Sequence, residues 1–106
     1  MKRLLAVQIY KITYPNGKIY IGQDRTCDIN YFGSADSATI AADFRGAKGR
    51  DFRIRKQILR TLHNVTIVEV NLIERDLIAK HQSNDPRVGY NRTKGQRRNI
   101  LREVWR

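Results

Sequence analysis

Tyr10, Tyr20 and Glu74 have the most chemistry to offer in this chain. The two tyrosines lie ten residues apart in matched settings, Gln8-Ile9-Tyr10-Lys11-Ile12 and Lys18-Ile19-Tyr20-Ile21-Gly22-Gln23. Phenol hydroxyls on neighbouring strands can position water or a phosphate and can give or take a proton. The same spacing suits two aromatic core residues whose hydroxyls reach the surface. Glu74 falls four residues after Val70 and three before Leu77, so a helix there carries it on the apolar stripe. A carboxylate in that position must be ion-paired, hydrogen-bonded or metal-bound, because a lone buried charge is costly. Mg²⁺ prefers carboxylate and water oxygens. A salt bridge to one of the many arginines answers the pattern equally well. His63 and His81 are far apart and have no cysteine cluster beside them, which argues against zinc.

Strands and a helix must hold these side chains in place. Pro15-Asn16-Gly17 between two alternating apolar runs is a strong hairpin signal. Residues 7–14 and 18–23 read as its strands, and Gly22 frees the backbone to leave the sheet. The stretch 24–34 is rich in turn formers and reads as loop. Residues 36–45 have helical composition, with Gly46 and Gly49 placed to close the helix. The stretch 52–60 fits two templates. As a strand it points Phe52, Ile54 and Ile58 inward, with Arg53, Arg55 and Gln57 outward. As a helix it gathers Ile54, Ile58, Leu59 and Leu62 but leaves Arg55 on the apolar side, so strand is preferred. Thr66-Ile67-Val68-Glu69 is a capping box that opens a helix. Ile67, Val70, Ile73, Leu77 and Ile78 lie on or beside its packed stripe, and Asp85-Pro86 ends the helical region. Residues 99–105 place Ile100, Leu101, Val104 and Trp105 on one helical face. The expected class is α/β, a small and mostly antiparallel three-stranded sheet flanked by helices. One domain covers residues 1–95, and 96–106 reads as a basic tail or short helix.

Composition narrows the partners. The chain of 106 residues carries a net charge of +11, and most of its 21 basic residues fall in the windows 45–60 and 87–106. Each window holds one acidic residue. Such clustering is the electrostatic footprint of a phosphate-backbone binder. A ribosomal or membrane-surface role would also give it. Arg53, Arg55, Lys56, Arg60, Arg92, Lys94, Arg97 and Arg98 are the expected phosphate contacts. No apolar run approaches the roughly 18 to 20 residues that cross a bilayer. Cys27 is the single cysteine, which leaves no intrachain disulfide and suits a reducing cytoplasm.

Taken in order, the motifs resemble those of the GIY-YIG nuclease superfamily. Ile9-Tyr10 and Tyr20-Ile21-Gly22 are similar to its two signature triplets. Asn16 to Gln23 resembles the usual hairpin and second strand, and Tyr31-Phe32-Gly33-Ser34 resembles a tract of a phage-type branch. Glu74 matches the metal-binding glutamate of the long helix. Gly89-Tyr90-Asn91 followed by Thr93-Lys94-Gly95 resembles the closing motif, whose asparagine lies near the site. Gln8 stands where the first signature glycine would be. The arginine expected on the first helix is also missing, and Asn30 lies near its usual distance from Gly22. Arg45 is the best substitute, with Arg25 the runner-up.

The resemblance implies a metal-dependent DNA endonuclease. Glu74 would hold one Mg²⁺ or Mn²⁺ to neutralise the scissile phosphate and leaving oxygen. Tyr20 or Tyr10 would orient or deprotonate the attacking water, with Lys18 supplying a cationic field on the same strand face. Arg45 or Arg25 would stabilise phosphate charge, and Asn91 would position a ligand or site residue by hydrogen bonds. The alternative is a nucleic-acid-binding module of this fold with little or no cleavage. A basic structural protein of a nucleoprotein particle is the third reading.

Overall fold

The computed structural model describes residues 2–33, 35, 37–45 and 52–92. Its element order is β1 (Arg3–Thr13), β2 (Ile19–Asp24), α1 (Ser37–Asp43), β3 (Arg55–Thr66) and α2 (Ile67–His81). The sheet has three antiparallel strands in the order β2-β1-β3, so the expected α/β class is observed. The final helix expected at 99–105 and the glycines Gly46 and Gly49 lie outside the described residues. Among the described residues, no helix is long and apolar enough to cross a membrane.

The hairpin turn follows from Pro15, Asn16 and Gly17. Gly17 N–H bonds the Tyr14 carbonyl at 2.9 Å, and Tyr14 N–H bonds the Lys18 carbonyl at 2.9 Å. Gly17 has φ +85°, whereas Asn16 keeps negative φ. The turn therefore spans Pro15 and Asn16 and is followed by a left-handed glycine, the longer hairpin loop rather than a two-residue Asn-Gly turn.

β1 is the centre of the molecule and buries residues on both faces. Val7 and Ile9 join Ile21, Leu62, Val70 and Ile78 in a core beneath α2. Tyr10, Ile12, Tyr14 and Tyr90 form a second core on the opposite face, packed by Tyr20, Ala35, Ile40, Phe44 and Ile54. The sheet is thus covered on one side by α2 and on the other by α1 and the loop after β2.

The strand reading of 52–60 is borne out, and β3 runs on to Thr66. A bulge between Ile9 and Tyr10 shifts the register from Arg60 to Ile58. Leu59 is the extra residue, and both Leu59 and Leu62 reach the α2 core. This three-residue spacing across a bulge is what imitates helical periodicity. Ile58, expected inward, pairs with Tyr10 yet stays 42 % exposed.

β3 passes into α2 without a loop. Thr66 is the last strand residue and the helix cap: its side chain accepts from Glu69 N–H at 3.2 Å, and Glu69 Oε1 accepts from Thr66 N–H at 2.7 Å. Val70 and Ile78 are buried, whereas Ile67, at the first turn, is 38 % exposed. The helix ends at His81 with Gln82 in the left-handed region at φ 57°, before Asp85-Pro86. We expect Thr66→Ala to cost about 1 kcal/mol, the usual cost of losing an N-cap. A urea midpoint that falls accordingly at constant m checks this.

Candidate active site

Tyr10 is held by two glycines. Tyr10 pairs with Gly22 across the β1–β2 ladder, and its ring crosses that glycine toward the outer edge of β2. A Cβ on Gly22 would fall 2.7 Å from the Tyr10 Cζ. Gly33, with φ +87°, closes on the same hydroxyl from the loop, where a Cβ would fall 2.9 Å from the Tyr20 Cε2. Both positions need glycine for close approach, and Gly33 also for its left-handed backbone. Tyr20 packs beside Tyr10 with ring centroids 6.4 Å apart, and Tyr31 meets Tyr10 edge-on at 6.0 Å. Tyr10 is 1 % exposed, and Tyr20 is half-buried. Burial, reinforced by Tyr20, Tyr31, Glu74 and Asp24, pushes the Tyr10 phenol far above its ordinary value. It keeps its proton at any physiological pH.

Glu74 lies half-buried on α2, facing the end of β2. The Gln23 amide donates to Asn71 Oδ1 at 2.9 Å and to Glu74 Oε1 at 3.3 Å. Arg25 Nε in turn donates to Gln23 Oε1 at 3.1 Å. Gln23 therefore ties the carboxylate to an arginine without a direct ion pair. Desolvation by burial raises the Glu74 carboxyl above its usual value, against the pull of Gln23 and Arg25. A cleft of about 360 Å³ lined by Gln23, Asp24, Arg25, Thr26 and Tyr31 opens beside this group. Among the described residues, no cluster of three or more His, Cys, Asp or Glu side chains could hold a metal. A cation here would have one carboxylate from the protein and otherwise water or phosphate oxygens, a coordination that suits Mg²⁺.

Asn91 joins the site through the backbone. Its Nδ2 donates to the Ile21 carbonyl and its Oδ1 accepts from Ile21 N–H, both at 2.7 Å. The amide acts as one more strand residue beside Ile21, which stands between Tyr20 and Gly22. Just before it, Ile19 N–H bonds the Val88 carbonyl at 3.0 Å, and Tyr90 N–H bonds the Ile19 carbonyl at 2.8 Å. The outer edge of β2 is closed by residues 88–91.

Several expected residues sit elsewhere. Lys18 is paired with Asp43 Oδ2 at 3.2 Å and lies over the Tyr90 ring, so its charge is neutralised on α1. Arg45 follows α1 and bonds the Ala42 carbonyl through its backbone; no described contact joins it to Glu74, Tyr10 or Tyr20. The arginine whose charge reaches Glu74 is Arg25. Arg53, Arg55, Arg60 and Arg92 are exposed, as a phosphate-binding surface requires. On an edge strand, Arg55 and Arg60 also discourage pairing with other chains. Lys94, Arg97 and Arg98 lie outside the described residues.

Lys56, expected among the phosphate contacts, is instead buried, with its side chain 7 % exposed. Its ammonium donates to the carbonyls of Asp28 at 3.0 Å and Tyr31 at 2.7 Å, and stands 3.8 Å from Asp24 Oδ2. It also lies 5.1 Å from the Tyr10 ring centroid and 5.8 Å from that of Phe32. The signal was its parity: Lys56 alternates with Ile54 and Ile58, so it faces the aromatic core. Asp24 is the matching anion. Burial opposes its charge, but the Thr26 hydroxyl, the N–H groups of Thr26 and Asp28, and Lys56 outweigh this and hold its carboxyl below the usual range.

The chain matches no family model, no curated protein and no solved structure.

Glu74 gives a signed pH prediction. Its folded pKa lies above the unfolded value, so ionisation disfavours the fold and the parent gains stability as pH falls through that folded pKa. Glu74→Gln removes the charge and keeps a partner for Gln23. In EDTA it should melt above the parent at pH 7 to 8, with the advantage vanishing near pH ~4, the ordinary carboxylate range. A loss of roughly 3 to 5 kcal/mol at pH 7 would mark Glu74 as a structural ion-pair partner instead.

Proposed function

We propose that this protein is a divalent-metal-dependent endonuclease that hydrolyses phosphodiester bonds in DNA, with a site of the GIY-YIG kind. The observation that carries the proposal is Glu74, a desolvated carboxylate with no direct cation partner among the described residues. Its charge reaches the glycine-cradled Tyr10, and Gln23 links it to Arg25. An ion bound by Glu74, Mg²⁺ or Mn²⁺, would neutralise charge on the scissile phosphate and leaving oxygen. The chain's own groups do the positioning. Arg25, steered by Gln23, balances charge building on the phosphate. Tyr20, the more open of the two phenols, orients the attacking water. Tyr10 holds its proton and acts as a hydrogen-bonding group rather than as the base. Asn91 fixes the strand between them and touches no substrate. The exposed arginines of β3, with Arg92, draw in the DNA backbone. A lone exposed Cys27 suits the reducing cytoplasm such an enzyme would work in.

A binding module of the same fold is the second reading, favoured by the lack, among the described residues, of a cluster of three or more His, Cys, Asp or Glu side chains. Supercoiled plasmid separates the two. Nicking or cutting should require Mg²⁺ or Mn²⁺ and stop in excess EDTA. Tyr20→Phe should lower the rate by roughly 100-fold, the usual worth of a positioned proton-transfer or water-orienting group. Arg25→Ala should lower it similarly, whereas Arg45→Ala should leave it within about twofold. Cleavage that persists in EDTA, or that continues at the parent rate in both Tyr20→Phe and Arg25→Ala, refutes the proposal.

A further inference from the structure

The loop that follows β2 leaves its aromatic residues partly exposed. Tyr31 is 40 % exposed, Phe32 is 41 % and Ile29 is 80 %. This loop is firmly held. Asp24 accepts from Thr26 N–H, the Thr26 hydroxyl, Cys27 N–H and Asp28 N–H, between 2.6 and 3.1 Å. Asp28 Oδ1 accepts from Asn30 N–H at 2.9 Å, and the Asp28 carbonyl accepts from Tyr31 N–H at 3.0 Å. The buried Lys56 ammonium ties the carbonyls of Asp28 and Tyr31 from below. This firmly held loop packs Tyr31 edge-on against Tyr10 and Phe32 against the Lys56 ammonium, yet leaves about two-fifths of each residue open to solvent.

Their surroundings state what they face. Tyr31 lines the cleft with Gln23, Asp24, Arg25 and Thr26, next to Tyr10. Phe32 follows it, turned toward the Lys56 ammonium. Flat rings on a rigid support, beside an arginine and in a chain of net charge +11, are the components of a base-stacking platform. A phosphate clamp would need cations alone, and a protein-binding patch would not need to border the cleft. In an intact duplex the bases are stacked on one another, so only an unpaired or extruded base can use such a platform.

We infer that Tyr31 and Phe32 stack an unpaired nucleobase at the mouth of the cleft, so that the site selects DNA strands with an unstacked base. This rests on the reading of the cleft as a nuclease site, but its test needs no cleavage. Binding is measured in EDTA by fluorescence anisotropy on a 20-mer duplex and on the same duplex with one unpaired 2-aminopurine. The parent should bind the unpaired form roughly tenfold more tightly and change the 2-aminopurine emission, in keeping with stacking on one or two rings. Tyr31→Leu and Phe32→Leu keep apolar bulk and the backbone carbonyl that Lys56 holds, but remove the ring. Each should reduce the preference several-fold in protein that circular dichroism shows to remain folded, and Tyr31→Phe should retain it. Equal affinity of the parent for both duplexes overturns the inference, as does a preference that both leucine variants retain. Loss of cleavage with the preference intact would count against the nuclease reading alone.

Discussion

The close approach of Tyr10 to the backbone of Gly22 and Gly33 is the constraint on which the site depends. A side chain on either glycine would occupy the space of the phenol. Because both are bare, a ring rooted on the central strand reaches across the edge strand and under the loop. That brings its hydroxyl into the electrostatic range of Glu74 and Asp24, from the opposite side of the sheet to α2.

The edge strand must then hold still. A three-stranded sheet leaves β2 with one unpaired side, and unpaired backbone groups near a buried site are costly. Residues 88–91 answer this with two backbone hydrogen bonds at Ile19 and the Asn91 amide at Ile21. Gly89 permits the approach, since a Cβ there would run into the carbonyls of Ile19 and Ser83. On the far side of the sheet, Asn16 donates to the Tyr90 hydroxyl at 3.0 Å, which donates to Asp43 at 2.6 Å. Asp43 also takes Lys18, so the turn, α1 and the closing segment share one polar knot.

Much of this was legible in the sequence because it was local. Pro15-Asn16-Gly17 announced the hairpin, and Thr66 and Glu69 announced the helix start through residues only three apart. Glu74 followed from helical phase. What was not legible depends on contacts between distant segments. The bulge at Ile9/Tyr10 is a property of the β1–β3 pairing, and it disguised a strand as a possible helix. Lys56 read as surface because lysine is rarely buried unless paired. Only the fold shows the carbonyls of Asp28 and Tyr31 converging on it. Arg25 comes within electrostatic reach of Glu74 through Gln23, a neutral residue whose amide has no chemistry until α2 is laid against β2.

The chemical account comes down to whether Glu74 is a cation's ligand or only a buried acid hydrogen-bonded to Gln23. Mn²⁺ can stand in for Mg²⁺ and reports its own surroundings by electron paramagnetic resonance. Titrating the protein with Mn²⁺ should yield one weakly bound ion per chain that keeps most of its water, as one carboxylate ligand implies. That ion should be lost in Glu74→Gln and retained in Tyr20→Phe. Binding of Mn²⁺ that is unchanged in Glu74→Gln would contradict the account.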